Sequence, residues 1–203
     1  MKKLLIAFFL LGTISSTIVS CKKGENDPFL SLRSRKARLT GEWKVTGYET
    51  KETDSDGDSY SESLNGSIIT VTDINNGGTP DVSTYVFTSS ITFNKDYTFT
   101  QIQTYGDSKI ERSGNWAFGL KSKEGDIKKK ETVVLSVLKE TYTNTSSTSI
   151  NTDTSFDEYT IIYFIDQLKN KEIVLTDSYT STEFLNGVTQ YSGTYSFKTT
   201  LTK

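Results

Sequence analysis

The stretch Ile91-Thr92-Phe93-Asn94-Lys95-Asp96-Tyr97-Thr98-Phe99 holds the fold in miniature. Apolar or aromatic residues alternate with Thr on both sides of a polar Asn-Lys-Asp triplet. Bulky side chains therefore fall on one face of each of two short strands, and the triplet turns the chain back on itself. A second unit of the same kind places Gln167-Leu168-Lys169-Asn170-Lys171 between the apolar residues 161–165 and Ile173-Val174-Leu175. Both read as antiparallel hairpins. Working outward, strands are expected near 41–49, 66–72, 83–93, 97–105, 109–118, 131–142, 156–165, 172–180 and 190–201. The Ser/Thr/Asn/Asp/Gly-rich stretches 50–65, 73–82 and 143–155 are expected as long loops at the ends of these strands. An open sheet of this size would expose long edges, so the pattern favours an all-β fold, an antiparallel up-and-down β-barrel of about eight strands.

The composition agrees. Among 203 residues there are 31 Thr, 25 Ser, 11 Tyr and 11 Phe, types that suit a pleated, half-buried surface. One short helix is expected near the barrel's N-terminus, over 29–39 after Pro28, with Arg33, Arg35, Lys36 and Arg38 on its polar side. The absence of His removes Ser-His-Asp, Cys-His and His-ligated zinc chemistry. No Gly-rich loop follows a strand and opens a helix, so nucleotide binding has no support. Carboxylates are plentiful but show no signature spacing, and no catalytic residue, cofactor or metal is assigned. The acidic run Asp54-Ser55-Asp56-Gly57-Asp58-Ser59-Tyr60-Ser61-Glu62 lacks the EF-hand arrangement, with its Gly fourth and its Glu ninth, and reads as a solvated loop at a barrel rim, with weak binding of a hard cation such as Ca²⁺ as the alternative.

The first twenty residues open with Met1-Lys2-Lys3, continue through an apolar run from Leu4 to Leu11 and turn small and polar at Ser15-Ser16, the anatomy of a secretory signal. The run closes on Ile18-Val19-Ser20-Cys21, and Cys21 is the chain's one cysteine. Residues 21–28 read as a flexible tether, and residues 29–203 as the domain. Without residues 1–20, 21 Lys and Arg stand against 25 Asp and Glu, a net charge of −4 that offers no footprint for nucleic acid.

Gly41-Glu42-Trp43, Gly114-Asn115-Trp116 and Gly193-Thr194-Tyr195 each place an aromatic two residues after a Gly, on the same strand face. The two tryptophans suit either packing where strands bend or contact with a ligand. Straight alternation turns Val45, Phe93, Phe99, Trp116, Phe118 and Leu135 inward with Trp43. It does the same for Tyr163, Leu175, Tyr195 and Phe197. These eleven residues are the candidates for an apolar, aromatic cavity.

Ile18-Val19-Ser20-Cys21 resembles the lipobox of bacterial lipoproteins. With Leu39-Thr40-Gly41-Glu42-Trp43-Lys44-Val45, the 91–99 hairpin, Ser113-Gly114-Asn115-Trp116-Ala117-Phe118 and the segment from Tyr159 to Leu175, the whole resembles the lipocalin-like lipoproteins of Bacteroidetes-type bacteria, within the lipocalin and fatty-acid-binding style of barrel. The resemblance implies cleavage before Cys21, a diacylglycerol on its thiol, and membrane attachment through that anchor. The absence of Asp after Cys21 resembles the sorting signal for the outer membrane, with the domain facing the periplasm or the exterior. The resemblance further implies a Trp closing one barrel end under a basic side chain from the last strand, for which Lys198 is the candidate. Two functions follow. The first is an envelope lipoprotein that binds a small hydrophobic ligand without catalysis. The alternative is an accessory module with a filled barrel that contacts protein or glycan through its loops.

Overall fold

The computed structural model describes residues 33–75, 77–119, 131–145, 149–185 and 188–203, and for 178–192 the backbone alone. The signal segment, Cys21, the tether and the first residues of the expected helix lie outside the described residues. A helix α1 (Arg35–Leu39) leads into β1 (Gly41–Asp54), β2 (Ser59–Asn65), β3 (Ile68–Ile74), β4 (Asp81–Phe93), β5 (Thr98–Tyr105) and β6 (Ser108–Phe118). After these come β7 (Glu131–Thr145), β8 (Ile150–Ser155), β9 (Tyr159–Leu168), β10 (Glu172–Leu185) and β11 (Val188–Thr202). No described helix is long and apolar enough to cross a membrane.

Antiparallel pairing closes ten of these strands into a barrel, in the order β1, β11, β10, β9, β7, β6, β5, β4, β3, β2, with β8 attached outside the ring to the far half of β7. The expected number, about eight, is therefore too low. At the end next to α1, β1 pairs directly with β4, from Gly41 opposite Phe93 to Lys44 opposite Ser90. Further up the two diverge, and the β2–β3 hairpin fills the gap between them. The stretches expected as loops at 50–65 and 143–155 contain most of this correction. β1 runs on to Asp54, β2 occupies 59–65, and β8 occupies 150–155. The 73–82 loop also shrinks, since β3 extends to Ile74 and β4 begins at Asp81. These strands are polar, but Thr has high β propensity, and β7 and β8 add a ladder in which Thr141 meets Thr154 and Thr143 meets Thr152.

Of the interruptions of register along the strands, two decide which residues of β1 and β7 face inward. β1 shifts against β11 between Val45 and Gly47, so the inward set passes from Trp43 and Val45 to Tyr48 and Thr50. β7 shifts against β6 at Leu138, so that after Val133, Leu135 and Val137 it is Glu140 that turns toward Arg112. Each bulge adds one residue to one strand and exchanges its two faces.

Candidate functional site

The barrel is closed at the α1 end. Ser34 caps the helix, its hydroxyl accepting from the Ala37 amide at 3.1 Å. Arg38, only 1% exposed, donates to the Leu168 carbonyl across the barrel mouth at 2.6 Å. Trp43 donates from its indole nitrogen to the Leu39 carbonyl at 2.6 Å. Lys203 covers the outer face of that indole, with Nζ 4.3 Å from the ring centroid. The expected cover, Lys198, lies exposed in β11 opposite Thr176 and Glu49, so this part of the sequence reading is corrected: Lys203 is the residue over Trp43. Above this closure Trp116 packs edge-on against Phe93 and Phe118, with centroids 5.6 and 5.7 Å apart, and Phe99, Leu135 and Val137 complete a filled plug.

Above the plug the interior opens into a cavity of about 220 Å³. Its floor is apolar, made by Leu39, Val45, Ile91, Phe93, Ile173 and Leu201, with Leu175 and Val133 beside them. An aromatic belt follows. Tyr48 sits edge-on to Phe197 at 5.7 Å, Phe87 lies 5.2 Å from Tyr105, and Tyr163 stacks on Phe197 at 6.1 Å. Ser89, Gln101, Gln103 and Thr199 add polar positions among these walls. Ser89 is 6% exposed, and its hydroxyl makes no hydrogen bond to any described residue. Such an orphaned hydroxyl costs stability unless something in the cavity meets it.

Charged groups face this interior from different strands. On β2, Glu62 accepts hydrogen bonds from the hydroxyls of Tyr60 and, at 3.2 Å, Tyr85, and Tyr48 lines the cavity beside it. Burial first, and then the Glu62 charge, push all three phenols upward, Tyr85 to about 12 and the other two higher still. On β6, Arg112 donates from Nε to Glu140 at 2.5 Å and to the Tyr159 hydroxyl at 2.8 Å, and from Nη1 to Gln103. Burial disfavours the guanidinium charge, but the bonds to Tyr159 and Glu140 outweigh it and hold Arg112 above its ordinary value. Glu140 is held below the usual carboxylate range by Tyr159 and then by Arg112. Burial raises Tyr105 and Tyr163, with the Arg112 charge acting against it.

Of the residues expected to face a cavity, Val45, Phe93, Tyr163, Leu175 and Phe197 line it. Trp43, Phe99, Trp116 and Leu135 belong to the plug beneath, Phe118 packs half-buried against Trp116, and Tyr195 is half-buried on β11 outside the lining. Among the lining residues that sequence reasoning passed over are Tyr48, Glu62, Tyr85, Phe87, Ser89, Gln101, Gln103 and Tyr105. A signal existed for the β2 contribution: Ser59-Tyr60-Ser61-Glu62-Ser63-Leu64 has strict period-two alternation of small and large residues. The acidic run itself is a tight turn, in which Asp54 Oδ1 accepts from the amides of Asp56 and Asp58 and Gly57 takes a positive φ of 92°. Among the described residues no group of three or more metal-ligating side chains comes together.

Comparison with protein-family models, with curated proteins and with solved structures finds no match to this chain.

Proposed function

We propose that this protein is a lipid-anchored component of the bacterial cell envelope whose lipocalin-like barrel binds a compact, mainly apolar molecule without transforming it. The observation that carries the reading is the cavity itself. Its apolar floor and aromatic belt enclose about 220 Å³, and the buried Ser89 hydroxyl within it has no partner among the described residues. Ligand sites ordinarily enclose about 300–1,000 Å³, so the volume favours a single-ring or short-chain molecule over a two-chain lipid. Burial of the ligand's apolar body supplies the affinity, about 0.8 kcal/mol for each methylene removed from water, and the few polar groups orient it. Lipidation at Cys21 after removal of residues 1–20 would hold the domain at the membrane, on the outer-membrane side that the sorting resemblance implies; its support is the apolar run and Ile18-Val19-Ser20-Cys21.

The test is calorimetric titration of the full chain and of Ser89→Leu with 2-phenylethanol, a water-soluble probe of suitable size. The unmodified chain should bind it saturably at one site. Ser89→Leu, which fills the cavity and removes the orphaned hydroxyl, should bind it at least about ten-fold more weakly while melting no earlier. Absence of saturable binding to the unmodified chain would overturn the proposal.

A further inference from the structure

We infer that the cavity selects an apolar molecule that ends in a protonated amine, whose ammonium group is received by Glu62 within the ring of Tyr48, Tyr60 and Tyr85. The inference rests on the cavity being a binding site and supplies the chemistry of its ligand. Glu62 lines the cavity, the hydroxyls of Tyr60 and Tyr85 hold and aim its carboxylate, and Tyr48 stands beside it in the same lining. Phenol donors orient a carboxylate without cancelling its charge, and with both donors on Oε1 acceptor positions of Glu62 stay open toward a ligand.

No lysine or arginine among the described residues pairs with Glu62. The described ion pairs are Arg35 with Glu131, Lys109 with Glu111, Arg112 with Glu140, and Lys169 with Glu172. Arg112 does face the interior, but Glu140 and Tyr159 already hold it. Asp73, opposite Tyr60 on β3, adds a second negative charge near the tyrosine ring. Glu62 and Asp73 thus put two carboxylates on the Tyr60 side of the cavity, while the Arg112 charge acts on the Tyr105 side.

The surrounding rings point the same way. Tyr85 and Tyr105 lie 6.3 Å apart, and Tyr48 and Phe87 are also 6.3 Å apart, so aromatic π-electrons border the place where a cation would sit. An ammonium there would neutralise Glu62 and gain charge-assisted hydrogen bonds. A fatty-acid carboxylate would meet like charge, and a neutral head group would leave Glu62 uncompensated.

Three probes with nearly the same body separate the possibilities: 2-phenylethylamine, 2-phenylethanol and 3-phenylpropionate, titrated calorimetrically at neutral pH into the full chain. The amine should bind at least about ten-fold more tightly than the alcohol, and the propionate more weakly than either. In Glu62→Gln the amine's advantage over the alcohol should shrink to within about three-fold. The comparison on the unmodified chain decides the matter even if the variant fails to fold. Equal affinity for amine and alcohol, or a preference for the propionate, overturns this inference and leaves the binding cavity standing. No binding of any of the three overturns both.

Discussion

Lys203 lies flat over Trp43, with Nζ 4.3 Å from the indole centroid and donating to the carbonyls of Arg38 at 2.9 Å and Thr40 at 2.7 Å. One ammonium thereby ties the end of β11 to the end of α1 and seals the ring that closes the barrel. Lys203→Met keeps most of the apolar stem and removes the charge. It should lower stability by about 1–2 kcal/mol, whereas Lys198→Met, on an exposed position, should stay within about 0.5 kcal/mol of the parent. Denaturant titration of the two variants checks this, and equal effects would show that Lys203 is not the closing residue.

Gly114 sits where β6 meets the bulge of β7. A Cβ built there would stand 1.9 Å from the Ser136 carbonyl oxygen and 3.1 Å from the Leu138 amide nitrogen, both rigid backbone atoms. Gly114→Ala should therefore force β6 and β7 apart and cost about 3 kcal/mol, near the upper end of overpacking effects. Gly106, at a turn with open space around its Cβ position, should tolerate Asn with far less loss. Similar melting temperatures for Gly114→Ala and the parent would contradict the close approach.

The interior tyrosines make a prediction at alkaline pH. Tyr48, Tyr60 and Tyr85 are raised above their ordinary value of 10.0, by burial first and then by Glu62. Above pH 10 the unfolded chain gives up protons that the folded chain keeps, so stability should fall as pH rises past that value. Phenolate absorbance should show an early class of exposed tyrosines, including Tyr142, whose hydroxyl bonds with Ser108 and Asn144 lower it. A late class should appear only together with the loss of strand circular dichroism. Ionisation of every tyrosine before unfolding would contradict the half-buried ring around Glu62.

At acid pH the informative group is Glu140. Tyr159 and Arg112 hold its carboxyl below the ordinary 4.5, so the folded chain holds this proton less tightly than the unfolded one. The stabilisation is present above that value and is lost as pH falls below it. Glu140→Gln should flatten the acid limb of a stability-against-pH curve and leave the limb above pH 6 nearly parallel to the parent's. An unchanged acid limb would show that the Arg112 network adds nothing to acid stability.

The hairpin at 91–99 was legible because local alternation and turn chemistry agree there: Asn94 accepts from the Tyr97 amide at 3.2 Å, and Phe93 and Phe99 face each other across the pair. The closed all-β barrel followed from repeating that unit. What alternation could not show was the change of face at the two bulges, which brings Tyr48 and Glu140 inside. Gly47, isolated within a strand, is the one local sign of the first bulge. The polar half of the cavity was hidden for a related reason. Glu62 and Gln101 look like surface residues until closure turns their faces inward, where tyrosines or Arg112 satisfy them. The tryptophans misled in the opposite direction, since the large rings fill the closed end and leave the open part to smaller aromatics.

The decisive measurement is native mass spectrometry of the protein extracted from its own cells, followed by denaturation in the same instrument. A binding barrel predicts a small molecule, one per chain and carrying a basic nitrogen, that is retained in the folded state, released on unfolding and absent from Ser89→Leu. A folded chain that carries only its own covalent mass and takes up none of the three phenyl probes would contradict the binding function.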